Sequence, residues 1–241
     1  MRKSSSEHGL KFLKQTSVFL IIVAGLSPLN ATPSGDSVKN IELSLTQIRS
    51  RTDIVDVSHM PGIKLDLRYG TDNNFLKKNL YGPVQMCFLH QVAAAQLARA
   101  VEYLQKMHPG YKLILFDCLR PRSVQRILWA AVFGTPEQKF VGNPDKGSIH
   151  NYGFAVDLSV LDASGRELDM GTGFDFFGPL AEPRLEAGFL KSGELTRQQV
   201  DNRKILRAAM TTASFIQLEH EWWHYDALEG SDVRKSYKIV E

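Results

Sequence analysis

Two short stretches, far apart in the chain, most constrain its fold because together they carry the ligand types of a catalytic zinc site. The first runs from Ser148 to Asp157 and contains His150; the second, from Glu221 to His224, reads Glu-Trp-Trp-His. Catalytic zinc takes about three protein ligands, with water in the fourth tetrahedral position. We predict that His150, Asp157 and His224 bind one zinc ion per chain, so the fold must bring these stretches together.

The spacing within each stretch predicts how the side chains are held. Neither stretch contains two histidines at i and i+4, the helical zinc pattern, although His220 stands four residues before His224; we expect the ligands on strands and turns. His150 and Asp157 are an odd number of residues apart, which would place them on opposite faces of a regular strand. We therefore predict that Gly153 interrupts the strand. The alternative is an ordinary loop histidine and a turn carboxylate.

The base is predicted from the second stretch. A Glu three residues before a ligand His can lie close to the same metal without binding it, and Glu221 has this position relative to His224. We predict that Glu221 takes a proton from the metal-activated water. Two neighbours compete: His220 is an alternative ligand and Glu219 an alternative base. The E-x-x-H offset favours Glu221.

The pattern H-x6-D followed by E-x-x-H resembles the zinc peptidases that group lysostaphin-type enzymes, D-alanyl-D-alanine peptidases and the hedgehog signalling domain. Within this group the chain resembles the D-alanyl-D-alanine dipeptidases of vancomycin resistance and bacterial dipeptide recycling. The resemblance runs from about residue 53 to residue 225. Besides the two stretches, it rests on Asp66-Leu67-Arg68-Tyr69, Asn73-Asn74-Phe75, Asp117-Cys118-Leu119-Arg120-Pro121, Phe174-Asp175-Phe176 and Trp222-Trp223.

The resemblance implies an activity and roles for further residues. The expected reaction is zinc-dependent hydrolysis of D-alanyl-D-alanine, and the expected partner is this small D,D-dipeptide. Arg120 is expected to stabilise the oxyanion of the tetrahedral intermediate, as a cation aimed at developing negative charge does. Asp175 is expected to receive the free amino terminus of the dipeptide. Ser148 and Tyr69 are expected to shape the substrate site.

Two other functions stay open at this point. A D,D-carboxypeptidase or endopeptidase acting on peptidoglycan stem peptides would use the same chemistry, although a site that captures a free amine, through Asp175, argues against long substrates. A non-catalytic zinc-binding interaction module is the second alternative, as the hedgehog domain implies. The presence of both Glu221 and Arg120 argues against it, because a structural metal needs neither.

The amino terminus has the pattern of a secretory signal peptide. Basic residues precede an apolar run at residues 18–26 that is too short to span a bilayer comfortably. We predict a signal peptide at residues 1–31, a linker or N-terminal segment at 32–52 and a single dipeptidase domain at 53–241. We expect an exported protein, periplasmic or secreted, without stable membrane insertion after signal removal. An uncleaved N-terminal anchor is the alternative.

Charge gives no support for a nucleic-acid partner. The chain has 29 Lys and Arg against 26 Asp and Glu, but four of the basic and one of the acidic residues fall in residues 1–31. The remainder is formally neutral, so the basic excess belongs to the predicted signal. We expect no nucleic-acid binding, and the oligomeric state stays open.

Cys87 and Cys118 are the only cysteines of the sequence. In an oxidising compartment such a pair is a candidate disulfide. The alternative is two buried thiols that act as small apolar side chains. Export favours the disulfide.

Periodicity predicts an α+β fold. Strands are indicated at residues 63–68, 112–116, 154–161, 215–218 and 222–225, and helices at 89–107, 123–133 and 197–211, the last opened by a capping box at Thr196. The order is not a clean βαβ repeat. We predict a single domain with a central, mainly antiparallel sheet and helices packed on one side of it.

Overall fold

The computed structural model of the chain describes the backbone of residues 35–241 and the side chains of residues 41–241. The described residues belong to one compact unit. The predicted signal peptide lies outside the described residues. Within them, no helix has the length and apolar character needed to cross a bilayer.

The central sheet carries the two stretches that define the predicted site. The strands in chain order are β1 (Ile54–Asp56), β2 (Ile63–Leu65), β3 (Phe88–His90), β4 (Lys112–Asp117), β5 (Ala155–Leu161), β6 (Ile216–Gln217) and β7 (His224–Asp226). The central sheet has the order β2-β4-β5-β7-β6, and β1 pairs with β3 in a separate two-stranded sheet. In the central sheet β2 runs parallel to β4, while the other pairs are antiparallel. The predicted α+β fold with a mainly antiparallel sheet is confirmed, and the sheet is mixed.

The middle of the central sheet is buried. Every residue of β5 is buried, and only Lys112 of β4 is exposed. A strand that is buried throughout must be covered on both faces, which explains why these two strands read as nearly continuous apolar runs. The site residues Asp117 of β4 and Asp157 of β5 are therefore buried.

The helices are α1 (Gly35–Arg49), α2 (Gln91–Met107), α3 (Arg122–Val132), α4 (Glu186–Ser192), α5 (Arg197–Thr212) and α6 (Gly230–Ser236). Helices α2, α3 and α5 match the predicted segments to within a few residues. The capping box of α5 is present, because Thr196 accepts from the backbone N–H of Gln199 at 3.2 Å and Gln199 Oε1 accepts from the backbone N–H of Thr196 at 2.9 Å. These mutual bonds satisfy two free donors at the start of the helix.

Helix α1 falls within the segment predicted to be a linker. Its residues Ile41, Leu45 and Ile48 follow the helical spacing of one apolar face, and Ile41 and Ile48 are buried. Ile48 packs in a cluster with Leu119 and Val240. The amino-terminal helix is thus part of the folded unit and contacts the chain near the predicted Arg120.

Candidate active site

Two of the predicted ligands come from neighbouring strands. The antiparallel register of β5 and β7 places Asp157 directly opposite His224. Directly opposed residues of an antiparallel pair project from the same face of the sheet with their side chains in reach of each other. The register of β4 and β5 places Asp117 opposite Asp157 in the same way. The sheet therefore brings a carboxylate and an imidazole together across 67 residues of sequence.

The third predicted ligand, His150, lies in a short 3-10 helix, Ile149–Tyr152, that ends at Gly153. Gly153 has a φ of 77°, a left-handed conformation that favours glycine. A Cβ atom there would lie 2.9 Å from the backbone nitrogen of His90. Gly153 thus breaks the regular backbone before β5, as the odd spacing predicted, and lets His150 turn back towards Asp157.

The three side chains converge on one point. One ligand atom from each of His150, Asp157 and His224 lies within 4.8 Å of the others. His150 Nε2 is 3.2 Å from His224 Nδ1 and 3.3 Å from Asp157 Oδ2. Ligand atoms at the corners of a tetrahedron with bonds of about 2.0–2.1 Å are about 3.3 Å apart, so the spacing fits zinc.

Each histidine is oriented by a second hydrogen bond. His150 Nδ1 donates to the carbonyl oxygen of Cys118 at 2.7 Å, and His224 Nε2 donates to Asp226 Oδ1 at 2.9 Å. Since both partners can only accept, these ring nitrogens carry the protons. His150 Nε2 and His224 Nδ1 are left to face the metal position. Outer-shell acceptors of this kind accompany metal-binding histidines in proteins, so the donor set and its support both fit a zinc site.

Asp157 is held as a carboxylate. Burial opposes its ionisation, but the adjacent His150 and His224 hold the pKa of Asp157 well below its usual range. A metal ligand must be deprotonated, so the charge state needed for binding is already favoured.

Arg120 lies beside Asp157 and is fixed in place. It follows β4 closely, is only 7% exposed, and its Nη2 is 3.4 Å from Asp157 Oδ2. Its Nε donates to Asp117 Oδ2 at 2.7 Å and its Nη1 to Gln125 Oε1 at 2.9 Å. The guanidinium also lies 4.9 Å from the centre of the Tyr69 ring. These contacts hold a positive charge at the edge of the three-ligand group.

A cavity of about 250 Å³ opens at this group and is lined by the predicted site residues. Its lining includes all the residues predicted as metal, catalytic or substrate-binding residues: Tyr69, Arg120, Ser148, His150, Asp157, Asp175, Glu221 and His224. Glu221 is 9% exposed, and burial raises its pKa to about 8. A carboxylate in such surroundings has a high affinity for a proton, as a general base requires.

Asp175 stands at the Tyr69 side of the cavity. Its carboxylate accepts from the Tyr69 hydroxyl at 3.0 Å and from the backbone N–H of Phe75 at 3.3 Å. The backbone at Asp175 has a φ of 60°, which Asp tolerates better than most residues. Burial raises the pKa of Asp175 to about 7. A cation placed against this carboxylate would favour its ionised form.

The comparison with known proteins agrees with this geometry. Residues 50–240 match the model of the M15 peptidase family, described as D-ala-D-ala dipeptidase. The chain belongs to this family. It is 31% identical over 183 residues to the D-alanyl-D-alanine dipeptidase of Escherichia coli (strain K12), covering 73% of this chain and 84% of the relative. The D-alanyl-D-alanine dipeptidase of Enterococcus faecium is 31% identical over 185 residues, covering 68% and 85%. That of Streptomyces coelicolor is 29% identical over 185 residues, covering 70% and 87%.

As an M15 peptidase, the chain is a metallopeptidase, and the competing residues can be placed against its metal group. His220 lines the cavity, but it is half exposed, lies 3.6 Å from Glu182 and does not belong to the three-ligand group. Glu219 is not among the residues that line the cavity. The structure therefore favours Glu221 over Glu219 on position alone.

Several residues of this M15 site were absent from the sequence prediction. Asp226 supports His224, and Asp117 and Gln125 hold Arg120. Arg234 and Lys139 also line the cavity. Asp226 had a usable signal, since it follows His224 by two residues in a strand and so shares its face. Asp117 and Gln125 are near Arg120 in the sequence, three residues before it and five after it. Arg234 and Lys139 come from segments that only the tertiary fold brings to the cavity.

The two cysteines are paired. Cys87 and Cys118 form a disulfide across 31 residues of sequence. Cys87 directly precedes β3 and Cys118 directly follows β4, so the bond joins the small sheet to the central sheet beside the metal group.

Proposed function

We propose that the chain hydrolyses D-alanyl-D-alanine to free D-alanine, using one zinc ion held by His150, Asp157 and His224. One observation carries the proposal: the three ligand atoms, Glu221 and Asp175 all line a single cavity. A metal group, a base and an amine-binding carboxylate thus share one cavity. The names of the M15 relatives, each a D-alanyl-D-alanine dipeptidase, support the substrate.

The zinc ion would polarise the scissile carbonyl and lower the pKa of a water molecule in its open position. Glu221 is the group that moves protons. Its carboxylate takes a proton from the attacking water and then gives it to the nitrogen of the leaving D-alanine. Burial raises the pKa of Glu221 to about 8, so this carboxylate can hold the proton between the two transfers.

Arg120 stabilises the negative charge that develops on the carbonyl oxygen. Its side chain is preorganised by Asp117 and Gln125, so little reorganisation is needed during the reaction. The positive charge of Arg120 is already paired with the carboxylates of Asp117 and Asp157. We therefore expect that Arg120 acts because its guanidinium is held beside the metal group, and not because it carries an unpaired charge.

Asp175 and Tyr69 recognise the amino terminus of the dipeptide. An ammonium group compensates the partly buried Asp175 carboxylate, and the Tyr69 hydroxyl fixes the orientation of that carboxylate. Ser148 lines the cavity close to His150 and contributes to the shape of the substrate site. This arrangement favours the binding and cleavage of short peptides whose free amine lies one residue from the scissile bond.

We also propose that the protein is exported by its amino-terminal signal peptide and acts in the periplasm or outside the cell. The apolar run after the basic amino terminus supports this, and so does the disulfide between Cys87 and Cys118. Structural disulfides form and persist mainly in oxidising compartments.

The test of the activity compares two substrates. The zinc-loaded mature protein is incubated with D-alanyl-D-alanine or with a pentapeptide stem that ends in the same two residues, and released D-alanine is measured. We expect rapid release from the dipeptide and little from the pentapeptide. Faster release from the pentapeptide would replace the dipeptidase with a D,D-carboxypeptidase, and release from neither would refute both.

A further inference from the structure

The disulfide touches the metal group through one backbone atom. The carbonyl oxygen that accepts the hydrogen bond from His150 Nδ1, at 2.7 Å, belongs to Cys118. Both residues are almost fully buried, with His150 at 1% and Cys118 at 2% exposure. The atom that sets which nitrogen of His150 faces the metal therefore belongs to a half-cystine.

The other half of the disulfide is firmly anchored. The Cys87 carbonyl accepts from the backbone N–H of Val57 at 2.9 Å, and the Cys87 N–H donates to Ser58 Oγ at 2.8 Å. Cys87 itself is fully buried. Because the backbone of Cys87 is held by these hydrogen bonds, the disulfide restrains the position of Cys118.

The backbone at Cys118 lies just outside the regular pairing of β4 with β5 and is held by neighbouring hydrogen bonds together with the disulfide. The register of β4 against β5 shifts between Leu115 and Asp117, just before the cysteine. Beyond it, the Leu119 N–H bonds to Phe88 O at 2.9 Å and the Arg120 N–H to His150 O at 3.1 Å. Regular ladder pairing ends where Cys118 begins, so the disulfide is the covalent constraint at this point.

We propose that the Cys87–Cys118 disulfide is a positioning element of the metal centre. It holds the Cys118 carbonyl against His150 Nδ1 and so keeps Nε2 of that ring aimed at the metal. The inference rests on the proposed role of His150 as a zinc ligand. Without the disulfide, the carbonyl shifts, the buried N–H of His150 loses its acceptor, and the ring samples orientations that do not bind metal.

The experiment measures zinc affinity by competition with a chelator of known affinity. Cys87→Ala breaks the disulfide without changing residue 118 itself. We expect zinc affinity about 10–100-fold weaker than in the unmodified protein, the usual effect of losing an outer-shell partner. Rebuilding the disulfide after phosphine reduction of the unmodified protein should restore the original affinity.

A matched control separates positioning from general destabilisation. Leu104→Ala removes a buried side chain of α2, away from the cavity lining, and core truncation and disulfide loss destabilise folded proteins to similar degrees. Leu104→Ala should keep its zinc affinity within about twofold at a similar loss of stability, well short of the outer-shell effect. Equal zinc affinities for Cys87→Ala and the unmodified protein would overturn the proposal, as would an equal loss in both variants.

A second measurement applies if Cys87→Ala does not fold. The rate of zinc release to excess chelator is measured for the folded, unmodified protein before and after phosphine reduction, with complete reduction of the buried disulfide established by alkylation of both thiols. Faster release after reduction supports the proposal, and an unchanged rate refutes it. Neither assay uses a peptide substrate, so failure here leaves the proposed hydrolysis standing, and failure of the hydrolysis leaves these results unaffected.

Discussion

Acetylation of the amino terminus of the dipeptide should slow its cleavage through the loss of one contact, that with Asp175. The Asp175 carboxylate has two donors in the free protein, the Tyr69 hydroxyl and the Phe75 N–H, and its pKa is nevertheless raised to about 7 because it is buried. These donors therefore compensate the charge only in part. A substrate ammonium supplies the missing partner, and an acetylated amine does not.

The magnitude follows from the cost of an unpaired buried group, about 1–3 kcal/mol with charged groups at the upper end. Since about 1.4 kcal/mol equals a factor of ten in rate, kcat/KM for the acetylated dipeptide should be at least about tenfold lower. Asp175→Ala should shrink this difference, mainly by slowing the free dipeptide. Asp175→Asn is the matched control, because it keeps the shape and the tolerance for a positive φ while removing the charge.

The assay follows D-alanine release from both substrates at concentrations well below KM, so that rates report kcat/KM. We expect the ratio of free to acetylated substrate to fall in the order unmodified protein, Asp175→Asn, Asp175→Ala. Comparable cleavage of both substrates by the unmodified protein would refute the amine-binding role and favour a carboxypeptidase.

Three further predictions concern the same site. Glu221→Ala should keep the metal and the fold but lose about 10²–10⁴-fold in rate, the range for a general base, while Glu219→Ala stays active; an inactive Glu219→Ala with an active Glu221→Ala would show that the base is wrongly assigned. The unmodified protein should bind about one zinc ion by metal analysis, and His150→Ala and His224→Ala should lose tight binding; full occupancy in both variants would contradict the ligand assignment. In the metal-free protein, the pKa of Asp175 is higher in the folded state, about 7, than its ordinary 3.8, so the folded state holds the proton more tightly and stability falls as pH rises between these values. Urea unfolding should show that Asp175→Asn lacks this loss; identical pH dependence in both proteins would count against the raised pKa of Asp175.

The ligand set could be read from the sequence because chemistry restricts it locally. Few residue types bind zinc, and the offset between Glu221 and His224 distinguishes a base from a ligand over a single turn. The break at Gly153 could also be predicted, since no regular strand would bring His150 and Asp157 to one point, whereas its left-handed conformation is seen only in the structure.

What brings the ligands together was beyond sequence reasoning. The register that places Asp157 opposite His224 depends on the pairing of β5 with β7, two strands that are far apart in the chain. The residues near either side chain do not determine this register. The parallel pairing of β2 with β4 was missed for the same reason, because β3 and α2 lie between them in the chain. The Cys118 carbonyl orients the His150 ring through a backbone contact, and the amino-acid sequence does not indicate contacts of this kind.

Helix α1 lies in the segment at residues 32–52, which the sequence predicts as a linker or N-terminal segment. The turn-forming composition of its beginning, with Gly35 and Ser37, gives no indication of the helix. Such residues often stand at the beginning of a helix, so composition alone does not distinguish a linker from a helix start.

The most direct test of the zinc centre is an anomalous difference map from crystals of the zinc-loaded protein, recorded on both sides of the zinc absorption edge. We predict one strong peak at about 2.0–2.2 Å from His150 Nε2, Asp157 and His224 Nδ1, inside the cavity that Glu221 lines. A peak at His220 instead, or no peak among these three side chains, would contradict the account.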